Sequence, residues 1–320
     1  MNPISLLLAL SLAASSATLP LLPFEQTAPR RPVVLVVHGR GFLARDSADF
    51  HRDALHALRE GAFRATGDSL LESDDIRLVW YADLMDVRRA VLGNATSCET
   101  NTNNPDVGIS PSSIFRSLAL IASDLVQATA EDSIGDGARG IAGDLRFIGD
   151  PALRCAAEGR VADAIARAHA DGRPVIIVAH SLGALVTWSH LQHRGGRSDI
   201  DVPEVERLVT MGSPIGNSEL RELLLGDMGE VSLPRGVRSW VNAVNADDPF
   251  AARLVEIDSL SARTRDVRGI TDVVTGHAEE AHDLFGYLRD STAAKAVAGA
   301  WCDAAEHRGT IASCVALSKR

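Results

Sequence analysis

The sequence predicts an α/β protein whose central sheet is mostly parallel and is flanked by helices. Short apolar runs rich in β-branched residues are typical of strands that are covered on both faces. They occur at residues 33–37, 76–81, 175–179, 208–211 and 239–244. Segments with helical spacing lie between these runs, and strands that alternate with helices form parallel sheets with right-handed crossovers.

The helices are predicted from apolar residues that recur about one helical turn apart. In residues 48–64 this spacing is set by Phe50, Ala54 and Leu58. The other predicted helices cover residues 113–130, 160–170, 182–192 and 218–225. One domain over residues 32–320 is the simplest organisation that contains all these segments.

The composition argues against two classes of partner. The 320 residues carry a formal net charge of -10, whereas a protein that binds nucleic acid needs a basic face. The same charge disfavours electrostatic docking on anionic lipid. Aromatic residues make up 4% of the chain, so the core is expected to be mainly aliphatic.

The N-terminus has the pattern of an export signal. An apolar run at residues 4–14 is followed by small residues and then by four prolines between residues 20 and 32. This pattern predicts a signal peptide at residues 1–17 and a Pro-rich linker at residues 18–31, although no Lys or Arg precedes the run. The run is too short for a membrane span, which needs roughly 20 apolar residues. We therefore expect a secreted or periplasmic protein, the alternative being a mature helix that packs on the domain.

The four cysteines favour disulfides over zinc. They contain no C-x-x-C pair, and structural zinc sites usually use closely paired ligands. In an exported chain two disulfides are expected. Of three connectivities we favour Cys302 with Cys314 and Cys98 with Cys155; the alternative is four buried or free thiols.

Residues 93–151 are predicted to be an insertion between consecutive strands. The first part is polar and rich in Asn, Ser and Pro, and the last part contains several Gly and Asp. Long ordered loops tend to be functional. The segment is therefore a candidate cap or lid over a site, the alternative being a surface excursion without function.

A serine lies where a predicted strand ends and a predicted helix begins. The pentapeptide AHSLG at residues 179–183 departs by one methyl group from G-x-S-x-G, a sharp strand-to-helix turn that exposes a nucleophilic hydroxyl. Strand and helix approach closely at such a turn, so Ala179 and Gly183 must be small. The helix N-terminus would face a developing negative charge. The alternative is an ordinary strand end with Ser181 as a helix cap.

A second turn, HGRG at residues 38–41, follows the first predicted strand. With the serine turn it resembles the α/β-hydrolase superfamily, in its bacterial esterase and lipase branch. This resemblance covers roughly residues 32–300 and implies the α/β-hydrolase fold. It implies an oxyanion hole made by the backbone N–H groups of Arg40 and Leu182, with His38 shaping the turn rather than acting as the base.

The resemblance also implies a catalytic triad in the order serine, acid, histidine along the chain. Asp248 follows the strand predicted at 239–244 and precedes a proline, as in similar esterases; Asp247 is the alternative acid. His282 is the favoured base because the stretch from His282 to Tyr287 resembles the H…Y pattern of bacterial lipase-like hydrolases. His277 is the alternative base.

These residues predict a serine hydrolase that cleaves carboxylic esters through an acyl-serine intermediate. The expected substrate is a small-molecule or lipid ester, and the chemistry implies no metal or other cofactor. Two alternatives stay open: an acyltransferase that uses the same triad, and a catalytically silent hydrolase-fold protein that binds a ligand or partner. No oligomeric state is predicted.

Overall fold

The computed structural model describes residues 31–39, 45–85, 147, 150–195, 205–218, 221, 231–255, 269–276, 281–304 and 312–318. Within these residues six strands form one sheet, and every neighbouring pair is parallel. The strands are β1 (Val33–Val37), β2 (Ile76–Val79), β3 (Val175–His180), β4 (Val205–Met211), β5 (Trp240–Asn245) and β6 (Ile270–Thr275). Their order across the sheet is β2-β1-β3-β4-β5-β6.

Helices flank the sheet on both faces, which confirms the predicted α/β class. The described helices are α1 (Ser47–Thr66), α2 (Ala82–Met85), α3 (Pro151–Ala170), α4 (Leu182–Gly195), α5 (Leu284–Arg289), α6 (Ser291–Ala304) and α7 (Ala312–Ser318). Two short 3-10 helices, Ser73–Asp75 and Pro214–Gly216, complete the described elements.

All five predicted strands are present, with ends that differ by a few residues. The strand β6 was not predicted, because its sequence ITDVVT is not a continuous apolar run. It lies at the edge of the described sheet, where Val274 is 52% exposed. An edge strand needs no apolar residue at every position, so the pattern used for buried strands misses it.

Helix α3 begins earlier than the predicted segment 160–170. The side chain of Asp150 accepts hydrogen bonds from the backbone N–H groups of Ala152 and Leu153, and Pro151 occupies the first turn. Both features favour a helix start at this point. The cap therefore determines the boundary, which the apolar spacing alone does not reveal.

The two faces of the sheet carry separate apolar clusters. Val33, Leu35 and Val37 face the side covered by α3 and α4. Val34 and Val36 face the side covered by α1, α5, α6 and α7. Because side chains alternate along a strand, β1 must be apolar at every position to serve both clusters. This explains the continuous run from which the strand was predicted.

The chain changes direction across the sheet at β1. From β1 it passes to β2 on one side, and β3 then pairs with β1 on the other side. In open parallel sheets, ligands bind in the crevice outside the carboxyl ends of the strands at such a switch point. The ends of β1 and β3 carry the two turn motifs recognised in the sequence.

A disulfide joins Cys302 in α6 to Cys314 in α7, which confirms this predicted pair. Cys155 is also disulfide-bonded, whereas Cys98 lies outside the described residues. No helix in the described part of the chain is long and apolar enough to cross a membrane.

Several other predictions fall on residues that the structure does not describe. These are the signal peptide at 1–17, nearly all of the linker at 18–31, the helix at 113–130 and most of the helix at 218–225. Within the predicted insertion at 93–151, only Phe147, Asp150 and Pro151 are described.

Helix α1 approaches α5 and α6 closely at Gly61. A Cβ atom built there would overlap the carbonyl oxygen of Leu288 and lie 2.8 Å from the Cβ atom of Ala294. Gly61 is therefore one point at which α1 contacts these helices without room for a side chain, and a methyl group there would push α1 and α5 apart.

We predict opposite effects on stability for two helical glycines. Gly61→Ala should lower the free energy of unfolding by about 1–3 kcal/mol because the contact is overpacked. Gly159→Ala in α3 should raise it by up to about 1 kcal/mol, because a Cβ atom there meets nothing within 4 Å and alanine favours the helix. Urea unfolding measures both changes; an equal effect at the two positions would contradict the packing argument.

Candidate active site

Ser181 occupies a strained turn between β3 and α4. Its φ angle is 52°, in the left-handed region that residues other than glycine rarely adopt. The backbone N–H of Ser181 donates to the carbonyl oxygen of Met211 at 3.0 Å, and its own carbonyl accepts from the N–H of Ala184 at 3.0 Å. Backbone strain of this kind concentrates at functional sites.

Small residues let the neighbouring segments approach this turn. A Cβ atom at Gly183 would overlap the carbonyl oxygen of His38 and lie 2.7 Å from that of Val37. A Cβ atom at Gly39 would lie 2.8 Å from the Cβ atom of Ser181. Ala179 lies in register with Val37 of β1, where the strand accommodates its methyl group. The end of β1 and the start of α4 therefore enclose the serine.

The structure brings Ser181, His282 and Asp248 into one hydrogen-bonded chain. The Nε2 atom of His282 lies 2.9 Å from Oγ of Ser181. Its Nδ1 atom lies 2.9 Å from each carboxylate oxygen of Asp248. Since an ionised carboxylate can only accept, Nδ1 carries the proton and Nε2 is free to accept one from the serine hydroxyl.

The carboxylate of Asp248 is buried but well supplied with donors. The backbone N–H of Phe250 donates to Oδ1 at 2.8 Å, and the hydroxyl of Tyr287 donates to Oδ2 at 2.7 Å. Burial acts to raise the pKa of Asp248, but the hydrogen bonds and charge of His282, with the Tyr287 and Phe250 bonds, outweigh it and lower the pKa below 3.8. Asp248 is therefore ionised at neutral pH.

The neighbouring carboxylate of Asp247 has a different position. Asp247 is exposed, and its backbone N–H donates to the side-chain oxygen of Asn245 at 3.2 Å. The structure thus places Asp248, rather than the alternative acid, against His282. His277, the alternative base, lies outside the described residues.

Of the two predicted oxyanion donors, Leu182 lies within the described residues and Arg40 does not. Leu182 is the first residue of α4, so its backbone N–H is among the first-turn groups without a partner inside the helix. It lies directly after Ser181, where the positive end of the helix dipole acts. Arg40 lies outside the described residues.

Two rings pack against the imidazole of His282. The centroid of the His180 ring is 4.8 Å away, and that of the Phe250 ring is 4.7 Å away. The side chain of His282 is nevertheless 22% exposed, whereas that of Asp248 is fully buried. The imidazole is therefore held in place by packing but stays accessible from outside.

His38 supports the turn after β1 as a neutral imidazole. The backbone N–H of Tyr81 donates to its Nε2 atom at 3.2 Å, so Nδ1 carries the proton and donates to the carbonyl oxygen of Gly39 at 2.7 Å. Burial lowers the pKa of His38 to about 4. The Tyr81 ring stacks on it at 4.2 Å, and the Tyr81 hydroxyl donates to the carbonyl oxygen of His38.

Sequence reasoning missed the role of Gly212, and it used Tyr287 only as part of the H…Y pattern without predicting its contact with Asp248. Gly212 has a φ angle of 54°, and a Cβ atom there would lie 2.7 Å from Oδ2 of Asp248 and 3.1 Å from Nδ1 of His282. The only hint was its place in the turn that follows β4. Tyr287 is one of only two tyrosines and lies on the helix just after His282, a signal that the sequence did offer.

The described residues hold no group of three or more His, Cys, Asp or Glu side chains arranged to bind a metal ion. The chain matches no protein-family model, and comparisons with curated proteins and with solved structures found no match. The chemistry of the site is therefore inferred from the contacts among Ser181, His282 and Asp248.

We predict that Gly212→Ala disables the site without unfolding the protein. The new methyl group would displace the carboxylate of Asp248, and a shift of about 1 Å in such a group costs about 100-fold in rate. The rate at which a fluorophosphonate labels the protein measures this loss.

The matched control is Gly67→Ala, at a φ angle of 81° where a Cβ atom meets nothing within 4 Å. It should cost about 1 kcal/mol of stability and leave labelling unchanged. Equal labelling of both variants would contradict the assignment.

We also predict that His38 makes the fold sensitive to acid. In the unfolded chain an imidazole binds a proton as the pH falls through 6.5, whereas folded His38 stays neutral until about pH 4. The unfolded state therefore binds more protons in this window, and the free energy of unfolding falls as the pH falls.

The test compares the wild type with His38→Gln at pH 7 and pH 4.5. The wild type should lose about 2 kcal/mol more than the variant between these pH values, because glutamine does not titrate. Urea unfolding measures the difference. The same loss in both proteins would show that His38 does not carry this pH dependence.

Proposed function

We propose that the protein is a serine hydrolase that cleaves carboxylic esters through an acyl-serine intermediate. The observation that carries this proposal is the hydrogen-bonded chain from Asp248 through His282 to Ser181. An alcohol, an imidazole and a carboxylate in this arrangement form the constellation that activates a serine for attack.

The arrangement of the sheet supports an α/β-hydrolase fold for this enzyme. Ser181 lies at the carboxyl end of a central parallel strand, on a turn that leads directly into a helix. Asp248 follows β5, and His282 follows β6. This order of serine, acid and histidine along the chain is the one used on that fold.

In the first half-reaction Oγ of Ser181 attacks the ester carbonyl carbon. Nε2 of His282 accepts the hydroxyl proton as the new C–O bond forms. The tetrahedral intermediate then collapses, the bond to the leaving alcohol breaks, and the imidazolium gives its proton to that alcohol. The acyl group stays on Ser181.

Asp248 fixes the imidazole tautomer that this step needs. Its ionised carboxylate accepts the Nδ1 proton of His282 and so leaves Nε2 unprotonated toward Ser181. The same negative charge stabilises the imidazolium that forms during attack. Because hydrogen bonds lower the pKa of Asp248, this charge is present throughout the neutral range.

The oxyanion of the intermediate needs donors that face it before the reaction begins. We assign this role to the backbone N–H groups of Leu182 and Arg40. Leu182 contributes the first N–H of α4 together with the positive end of the helix dipole. Loss of one such donor costs on the order of 100-fold in rate.

Water completes the cycle. His282 removes a proton from a water molecule, which attacks the acyl carbonyl, and Ser181 leaves as the free hydroxyl after it regains that proton. The chain supplies every group in these steps, so the reaction proceeds without a cofactor. The proposed substrate is a small-molecule or lipid ester.

We infer that the enzyme works in an oxidising compartment, outside the cytoplasm. The disulfide between Cys302 and Cys314, and the bonded state of Cys155, support this inference because disulfides persist mainly in such compartments. The predicted signal peptide is consistent with it. A cap or lid at residues 93–151 stays a prediction.

The proposal is tested with a panel of p-nitrophenyl esters of increasing acyl length. The wild type should hydrolyse at least one of them, and Ser181→Ala should remove this activity. Asp248→Asn should lower kcat by about 10⁴-fold, since the imidazole then adopts the wrong tautomer. The measured quantity is the steady-state rate of p-nitrophenol release, compared for the wild type, Ser181→Ala and Asp248→Asn.

The matched control is Asp247→Asn, which removes the exposed neighbouring carboxylate. It should keep nearly the full rate of the wild type. A large loss in Asp247→Asn, or a rate in Ser181→Ala equal to that of the wild type, would contradict the proposed triad.

A further inference from the structure

The hydroxyl of Tyr287 links the carboxylate of Asp248 to the end of strand β5, which Asp248 follows. Tyr287 is fully buried in α5. Its hydroxyl accepts a hydrogen bond from the backbone N–H of Asn245 at 3.1 Å and donates one to Oδ2 of Asp248 at 2.7 Å. Both directions are fixed, because an N–H group can only donate and an ionised carboxylate can only accept.

The hydroxyl keeps its proton under all working conditions. Burial, with the negative charge of Asp248 beside it, raises the pKa of Tyr287 well above its ordinary value of 10.0. A neutral phenol is therefore present as a permanent donor to Asp248.

The two donors that hold Asp248 besides His282 lie on different carboxylate oxygens. The N–H of Phe250 holds Oδ1, and the hydroxyl of Tyr287 holds Oδ2. Rotation of the carboxylate about its Cβ–Cγ bond would break at least one of these bonds. In this orientation both carboxylate oxygens lie 2.9 Å from Nδ1 of His282.

We propose that Tyr287 is a positioning residue of the catalytic site, which orients the Asp248 carboxylate and limits the negative charge that Asp248 presents to His282. This inference rests on the proposed hydrolase function. The hydrogen bond from Tyr287 stabilises the negative charge on the Asp248 carboxylate. Without this donor, the carboxylate would attract the Nδ1 proton of His282 more strongly. Tyr287 thereby keeps the imidazole ready to return its proton to the leaving alcohol.

Other charged or titratable groups surround this pair. The His180 ring lies 4.8 Å from that of His282 and 5.9 Å from that of Tyr287. Asp247 is exposed beside Asp248, and the side chain of Asp283 caps α5 by accepting from the N–H of Gly286 at 2.7 Å. None of these groups changes in a Tyr287→Phe variant, so a changed pH profile reports on the lost hydroxyl.

The experiment measures kcat and KM of Tyr287→Phe against pH with an ester that the wild type hydrolyses. We expect kcat to fall about 10-fold and KM to stay within about 2-fold, because the lost bond acts on the triad rather than on the substrate. The acid limb of the kcat/KM profile should shift to higher pH by about half a unit, as the Asp248 charge acts more strongly on the imidazole.

The other tyrosine provides the matched control. Tyr81 is also fully buried, but its hydroxyl donates to the carbonyl oxygen of His38 and not to the triad. Tyr81→Phe should lose comparable stability, but the midpoint of the acid limb of its kcat/KM profile should equal that of the wild type. A shift of the same size in both variants would overturn the inference.

A second measurement keeps the test valid if Tyr287→Phe fails to fold. Biosynthetic incorporation of fluorotyrosine into Tyr81→Phe labels Tyr287 alone, because the chain has two tyrosines. The hydroxyl of fluorotyrosine is more acidic than that of tyrosine and donates a stronger hydrogen bond to Asp248. The acid limb of the kcat/KM profile should therefore shift to lower pH than in unlabelled Tyr81→Phe. An unchanged limb in this protein would overturn the inference.

The outcomes separate this inference from the proposed function. If the wild type hydrolyses esters and Tyr287→Phe has the same kcat and the same pH profile, the positioning role is wrong and the hydrolase proposal stands. If the wild type hydrolyses no ester and reacts with no fluorophosphonate, the proposed function fails and the inference fails with it.

Discussion

The turn at Ser181 is the constraint on which the rest of the site depends. A residue with a side chain adopts a positive φ angle only when its surroundings hold it there. Here the buried strand β3 enters the turn, helix α4 leaves it, and the carbonyl oxygen of Met211 in β4 holds the backbone N–H of Ser181. The absence of side chains at Gly39 and Gly183 lets β1 and α4 close around the serine. The parallel sheet thus places the hydroxyl of Ser181 at its carboxyl edge.

The partners of that hydroxyl come from the far end of the chain, and packing brings them to the same edge. Helix α1 holds α5 in place through the close approach at Gly61, and α5 carries Tyr287 beneath Asp248. Burying a carboxylate is unfavourable unless donors compensate for the lost water. Three donors do so here, and one of them is the His282 imidazole itself. The carboxylate is therefore charged and oriented in the folded chain, and under the proposed function this preorganisation would serve electrostatic catalysis.

The sequence predicted the fold class and the serine turn because both follow from local patterns. Strands buried on two faces need continuous apolar runs, and a strand-to-helix turn needs small residues at set positions. Asp248 was favoured over Asp247 only because a proline follows it, as in similar esterases; in the folded chain the difference is that the Asp248 side chain is buried against His282, whereas Asp247 is exposed. The contact between Tyr287 and Asp248 joins residues 39 positions apart and becomes visible only in the folded chain. The edge strand β6 was missed because an exposed edge tolerates the mixed sequence of Ile270–Thr275.

The central claim is that the imidazole of His282 makes Ser181 a nucleophile. The most direct measurement is to treat the folded protein with a fluorophosphonate and to identify the modified residue by mass spectrometry of its peptides. We expect one phosphonylated residue, Ser181, and no modification in a folded His282→Gln variant. An unmodified wild type, a modification at another residue, or equal modification of Ser181 in His282→Gln would contradict it.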